Sequence, residues 1–167
     1  MNAAYVHLVL NHVPIFGILL GTLLLVTALV ERNDVLKRAA LVTLLASAVA
    51  AGPVYLSGEP AEEVVEDLSG VSEAAIEGHE GSALVSLVAA GALAMVALAG
   101  WWTLRRGRAV ARHFVTASLV LAVVAGVLLA RTAHLGGQIR HTEIRGAAAV
   151  PAGSDDDHEP AESRAHP

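Results

Sequence analysis

The chain has 167 residues, of which 54% are hydrophobic and 16% are charged, and it carries a formal net charge of −5. Its mean hydropathy of +0.58 is too high for a soluble domain of this length, so the composition predicts an integral membrane protein in contact with the lipid bilayer. The absence of cysteine excludes disulfides, thiolate zinc sites, iron–sulfur clusters and covalently attached haem, and no nucleic-acid partner is expected.

Four long apolar stretches with few or no charged residues follow one another along the chain. About 20 helical residues cross a hydrocarbon core about 30 Å thick. We therefore predict transmembrane helices at about residues 4–30, 36–58, 80–104 and 110–135. The first stretch has no Lys or Arg before it and is longer than the apolar region of a signal peptide, so we expect it to be retained. The predicted fold class is all-α, an integral membrane four-helix bundle.

The connections between these helices predict the topology. Seven of the 11 basic residues lie in the first and third connections, which the positive-inside rule assigns to the cytoplasm. Both termini and the acidic outer loop at residues 59–79 then face outward. These elements form one transmembrane domain of residues 1–145. Residues 146–167 mix Pro, Gly, Ala and acidic residues without periodicity, which predicts a disordered acidic tail.

Five histidines share the outer side in this topology: His7, His12, His79, His134 and His141. At 1.5 Å per residue, His12 and His134 lie at a similar depth near the outer interface, and His79 lies just above them. On one unbroken helix His7 and His12 are about 140° apart, so they cannot both point to the same place. We expect His12 to face the interior of the bundle and His7 to be more exposed, next to Asn11.

Two prolines interrupt helical hydrogen bonding close to these histidines. Pro14 cannot bond to the carbonyl of Leu10, and Pro53 has the same effect in the second helix. In lipid the released carbonyls need another partner, so both prolines favour a pocket in the outer third of the bundle. Gly17 and Gly21 have the spacing of a small-xxx-small motif, which we interpret as a contact between helices.

The grouping of histidines favours a bound cofactor. A b-type haem needs two neutral imidazoles from facing helices, an apolar slot and often a cation near its propionates. His12 with His79 or His134 would provide the axial ligands. The cofactor-binding residues in this hypothesis are His12, His79, His134, Asn11, Arg131 and Arg140. The leading hypothesis is a non-catalytic haem b protein that exchanges electrons with a periplasmic or membrane redox partner.

A discrete transition-metal ion is the alternative cofactor. Zinc and iron sites combine imidazoles with carboxylates, and both are available on this side of the predicted bundle. The candidate metal ligands are His7, His12, His79, His134, His141, Glu59, Glu62, Glu63, Glu80 and Glu143. Two further hypotheses need no cofactor: a pH-sensing network of histidines and acidic residues, or a scaffold whose histidines lie at the membrane interface.

Four segments carry a family resemblance: HLVLNHVPIFG near the start, SGEPAEEVVE after the second helix, GHEGSA at the third and HLGGQIRHTEI at the end of the fourth. Together they resemble the small four-helix bacterial membrane proteins grouped as domain of unknown function 2231, over about residues 5–145. The resemblance implies a bacterial inner-membrane protein whose shared polar residues gather on the outer side. These residues are His7, Asn11, His12, Glu59, Glu62, Glu63, His79, Glu80, His134, His141 and Glu143. Haem or metal binding is inferred from the residues and not from the family.

Overall fold

The computed structural model describes residues 2–108, 111–141 and 144. Glu143 and the predicted tail at residues 146–167 lie outside the described residues. The described chain is all-α, as predicted. Its helices are α1 Ala3–Leu10, α2 His12–Val30, α3 Asp34–Leu56, α4 Gly58–Val65, α5 Glu73–Arg105 and α6 Ala111–Arg140.

Four candidate membrane spans are present within the described residues. They are α1 together with α2, then α3, α5 and α6. The mean hydropathy of the most apolar part of each span lies between 1.9 and 2.5. The shortest, α3, has 23 residues and is therefore about 35 Å long, enough for a hydrocarbon core of about 30 Å. The chain is a multi-pass membrane protein in contact with the lipid bilayer.

The four spans form a bundle in which each helix neighbours the next in the chain. α2 packs on α3, α3 on α5, α5 on α6, and α6 closes the ring against α2. Leu25, Leu41, Leu44 and Leu93 are completely buried in the centre, whereas many other large apolar side chains are exposed on the outer surface. Such an outer surface suits lipid, because acyl chains solvate apolar groups as well as a protein core does.

Close contact between α2 and α3 depends on two glycines. A Cβ atom at Gly21 would lie 2.7 Å from Cδ2 of Leu44, and one at Gly17 would collide with Ser47. Any larger side chain would therefore push the two helices apart. The interpretation of the Gly17 and Gly21 pair as a helix contact is confirmed.

The third span starts earlier than predicted. α5 begins at Glu73 rather than at about residue 80, because the Ser72 side chain caps it by accepting the backbone N–H of Ala75. Ile76 on its first turns is buried, which holds these turns on the bundle. α6 likewise continues to Arg140 rather than ending at about residue 135. The acidic connection is thus shorter than expected, and part of it forms the surface helix α4.

The first span is divided at Asn11, where α1 ends and α2 begins. Pro14 stands in the first turn of α2 and cannot donate the hydrogen bond that would continue the helix from Leu10. The short helix α1 packs against α4.

The bundle has two chemically different ends. We name the end formed by α1, α4, the first turns of α5 and the last turns of α6 the histidine end. We name the end formed by residues 31–38, 105–108 and 111–115 the arginine end, because it carries most of the arginines.

Candidate functional site

A large cavity opens at the histidine end. Its volume is about 1140 Å³, and α1, α4 and the adjacent ends of α3, α5 and α6 surround it. Apolar walls come from residues such as Ile15, Ile76, Leu87 and Leu129. Its ionisable lining residues are Tyr5, His7, His12, Tyr55, Glu59, Glu62, Glu63, Glu66, His79, Glu80, Arg140 and His141.

His7 is half-buried and is oriented by the turn between α3 and α4. Its Nδ1 atom lies 2.9 Å from the Oγ atom of Ser57. The Ser57 hydroxyl donates its only proton to the carbonyl oxygen of Val54, at a distance of 2.7 Å. It therefore accepts the hydrogen bond from His7. The proton of the neutral His7 ring therefore sits on Nδ1. Its Nε2 atom keeps a free lone pair in this tautomer.

His79 is oriented in the same way by the opposite wall. Its Nδ1 atom lies 3.0 Å from the backbone carbonyl oxygen of Thr132, which can only accept. The ring also rests on Gly136, where an added Cβ would lie 3.0 Å from Cε1 of the imidazole. His79 is thus fixed with Nδ1 protonated and with the lone pair on Nε2.

His7 and His79 are brought together by the fold. Their ring centroids are 6.3 Å apart, and the ring planes make an angle of 82°. A histidine that binds a metal through Nε2 commonly donates its Nδ1 proton to a carbonyl or another oxygen. Both histidines have such a partner, so each ring is oriented through its Nδ1 atom.

A buried group of hydroxyls supports His79 from below. Thr132 Oγ1 donates to the carbonyl of Leu128 at 3.0 Å and lies 2.8 Å from the hydroxyls of Ser82 and Ser86. Since its proton is used, it accepts from both serines. Arg131 donates to the Ser82 hydroxyl at 3.2 Å. These bonds link α5 to α6 and fix the segment whose carbonyl holds His79.

The carboxyl groups of Glu62 on α4 and Glu80 on α5 meet at the rim of the cavity. The pKa of Glu62 is raised above its usual range by loss of hydration, then by a hydrogen bond with Glu80, and then by the nearby charges of Glu80, Glu66 and Glu59. A hydrogen bond between two carboxyl groups requires a shared proton. Loss of hydration and the neighbouring carboxyl groups therefore favour the protonated form of Glu62 more than in a free glutamate.

The expected roles of His7 and His12 are reversed, and this expectation was wrong. His12 is exposed, with Nδ1 at 2.7 Å from the Leu8 carbonyl and its ring stacked on the exposed Phe16. The expectation did not include α4, which covers the face of α1 that carries His7. His12 still lines the outer part of the cavity.

The other predicted residues are divided between the cavity and its surroundings. His134 is exposed and does not line the cavity. Its Nε2 atom lies 3.2 Å from Nε2 of Gln138. Arg131 is engaged with Ser82. Residues that do line the cavity are Asn11, Glu59, Glu62, Glu63, Glu80, Arg140 and His141. Glu143 lies outside the described residues.

The described residues contain no group of three or more His, Asp or Glu side chains placed to hold one metal ion. Two imidazoles meet in one part of the cavity, and two carboxyl groups meet in another.

Sequence reasoning missed four residues that orient the histidines: Ser57, Ser82, Ser86 and Thr132. The spacing of Ser82 and Ser86 along the sequence could have identified these two residues. His79, Ser82 and Ser86 have the spacing i, i+3 and i+7, so they occupy one face of a helix. Ser57 and Thr132 belong to other elements, and no local spacing connects them with the histidines.

Comparison with known proteins gave no match to any family model, to any curated protein or to any solved structure. The part of the family resemblance that the structure supports is the presence of four long apolar helices, consistent with a small four-helix membrane protein.

Proposed function

We propose that this protein binds a b-type haem in the cavity at the histidine end, where His7 and His79 would hold it, and that it transfers electrons. The observation that carries the proposal is the 6.3 Å separation of two imidazoles whose Nδ1 protons are each donated to a fixed oxygen.

The size and chemistry of the cavity support a haem. Its volume of about 1140 Å³ exceeds the roughly 300–1,000 Å³ of pockets for drug-sized ligands. Its apolar walls suit a porphyrin, and Arg140 on its lining would pair with a propionate. When bound, haem iron would supply a one-electron redox centre, whereas the protein residues orient the ligands and exclude water.

We further propose that the histidine end faces the outer side of a bacterial inner membrane. Seven basic residues concentrate at the arginine end: Arg32, Lys37, Arg38, Arg105, Arg106, Arg108 and Arg112. The positive-inside rule then puts that end in the cytoplasm and both termini outside. A periplasmic or membrane redox partner would have access to the haem edge from this side.

The test is a difference spectrum of the full chain, expressed with a sufficient haem supply and purified in detergent. The expected result is a sharp band of a b-type haem in the dithionite-reduced minus air-oxidised spectrum, with about one haem per chain. Absence of haem from a folded, monodisperse preparation would contradict the proposal.

Single variants identify the ligands. H7A and H79A should each lose the band, because each removes one of the two axial ligands. H134A is the matched control, since His134 is on the same end but outside the cavity. H79M provides a second measurement, because methionine ligation raises the haem potential. A band that survives in H7A and H79A with unchanged potential would exclude this ligand pair.

The contact between Glu62 and Glu80 favours a second candidate, a zinc or iron ion bound by histidine and carboxylate. Both carboxyl groups line the cavity that contains His7 and His79. Bringing all four groups to one ion would require movement of α4. In this case metal analysis gives stoichiometric zinc or iron without haem, and E62Q/E80Q loses the metal. The same double variant should leave a bound haem in place.

A further inference from the structure

A second cavity lies at the arginine end, far from the histidines. Its volume is about 270 Å³, and its floor is apolar, made by Leu29, Leu104 and Val115. Three cationic side chains form its rim: Lys37, Arg108 and Arg112. A small apolar cavity with a cationic rim matches a ligand that has an anionic head and an apolar continuation.

The cations at this end differ in how they are engaged. The guanidinium groups of Arg105 and Arg106 lie 4.8 and 4.7 Å from the ring centroids of Trp101 and Trp102. These two arginines are therefore occupied by stacking on aromatic faces. By contrast, no carboxylate among the described residues pairs with Arg108 or Arg112, and both border the cavity.

The cavity lies at the level of the membrane surface. Tryptophans concentrate at the boundary between hydrocarbon and water, and Trp101 and Trp102 lie on the last turns of α5 beside Leu104. The phosphates of lipid headgroups occupy the same level. Basic pockets between transmembrane helices are known to bind anionic headgroups.

The geometry points to a binding site for an anionic phospholipid, whose phosphate pairs with Arg108 and Arg112 while its first methylene groups enter the apolar floor. The volume of about 270 Å³ corresponds to about nine water molecules at about 30 Å³ each, enough for a phosphate group and a few carbons. The remaining acyl chain would extend outward along the exposed surface of the bundle.

The test is native mass spectrometry of the full chain in detergent, titrated with phosphatidylglycerol and with phosphatidylcholine of the same acyl chains. We expect phosphatidylglycerol to bind preferentially. R108Q/R112Q should weaken its binding about 30-fold, because each basic residue near the surface contributes about 1 kcal/mol. The matched control R32Q/R38Q removes the same charge from the same end but outside the cavity, and it should change the affinity less than about 3-fold.

Three results would overturn the proposal. One is equal affinity for the two lipids, and another is equal loss in R108Q/R112Q and R32Q/R38Q. The third is binding of soluble glycerol phosphate as tightly as phosphatidylglycerol, which would identify a phosphate site without a lipid. If the glutamine variant does not fold, R108K/R112K keeps both charges. It should retain the preference for the anionic lipid but weaken it, because lysine lacks the forked geometry of arginine.

Discussion

The two ends of this bundle satisfy their polar groups in different ways, although the same four helices connect them. At the histidine end three of the hydrogen-bond contacts join different elements: His7 to Ser57, His79 to Thr132, and Ser82 to Thr132. At the arginine end they remain local. Thr103 bonds to the carbonyls of its own helix, and the arginines stack on tryptophans four residues before them.

This difference indicates at which end of the bundle the relative positions of the helices are fixed. A local bond satisfies a polar group in lipid but leaves the helix free to shift relative to its neighbours. A bond between helices fixes their relative position, and a site needs side chains held to within about 0.5 Å. Bonds between helices therefore fix the relative positions of side chains at the histidine end, whereas polar groups at the arginine end are satisfied without such bonds among the described residues.

The strongest way to break the comparison is to displace His79. Gly136→Leu should destabilise the protein by about 1–3 kcal/mol, because the new side chain overlaps the imidazole and separates it from the Thr132 carbonyl. Unfolding in mixed micelles measures this cost, and the haem band should be lost with it. Gly91→Leu is the control, since nothing lies within 4 Å of its Cβ position. Equal costs at the two positions would show that His79 is not held tightly.

The next largest effect is the difference in unfolding free energy between substitutions of two buried threonines, Thr132 and Thr103. Thr132→Val removes the hydroxyl that receives Ser82 and Ser86, and it should cost about 1–2 kcal/mol in the same unfolding measurement. Thr103→Val removes a hydroxyl bonded only to its own helix, and it should cost less than about 0.5 kcal/mol. If both substitutions lower the free energy of unfolding equally, the hydrogen bonds between helices at the histidine end contribute no more stability than the local bonds at the arginine end.

A pH series tests the contact between Glu62 and Glu80. Because the pKa of Glu62 is raised in the folded protein, folding favours its protonated form. This stabilisation is fully present below the ordinary glutamate pKa of 4.5 and is lost as the pH rises through the raised pKa. Protection factors of the amides in α4, which correct the exchange rates for their intrinsic rise with pH, should therefore fall as the pH rises from 4.5 toward neutrality.

Two variants isolate Glu62 in that series. E62Q should remove most of the pH dependence of the protection factors in α4, because the side-chain amide cannot ionise. E63Q, at the neighbouring exposed position, should behave like the unchanged protein. A flat profile in the unchanged protein would mean that no proton is held between α4 and α5.

Much of the fold was predictable from the sequence, because a hydrocarbon core about 30 Å thick requires long apolar helices and the sequence contains four stretches of that kind. Helix bounds were less predictable, since they depend on single side chains. Ser72 caps α5 ahead of the apolar stretch, and Pro14 divides the first span at Asn11. The end of the bundle that holds the cavity was also predictable, because the histidines and the acidic residues share one side.

The internal geometry of the site was not predictable from spacing. An angle counted along one helix assigned His12 to the interior, but α4 covers His7 instead. His134 has the expected depth, but its contact is with Gln138 one turn later and away from the cavity. Depth follows from rise per residue, whereas direction depends on which neighbour covers each face.

The smallest predicted effect comes from an ion pair at the arginine end that also lies beside the second cavity. Lys37 lies 2.8 Å from Asp34 in an exposed pair, and it also borders the second cavity. D34N should reduce stability by only about 0.5 kcal/mol, as exposed ion pairs contribute little. It should nevertheless strengthen phosphatidylglycerol binding about 2- to 5-fold, because Lys37 is released toward the rim and one negative charge is removed. E31Q removes a charge from the same connection without releasing Lys37 and should have a smaller effect on lipid. Equal strengthening in both variants would assign the effect to net charge, and then Lys37 would have no particular role in the lipid site.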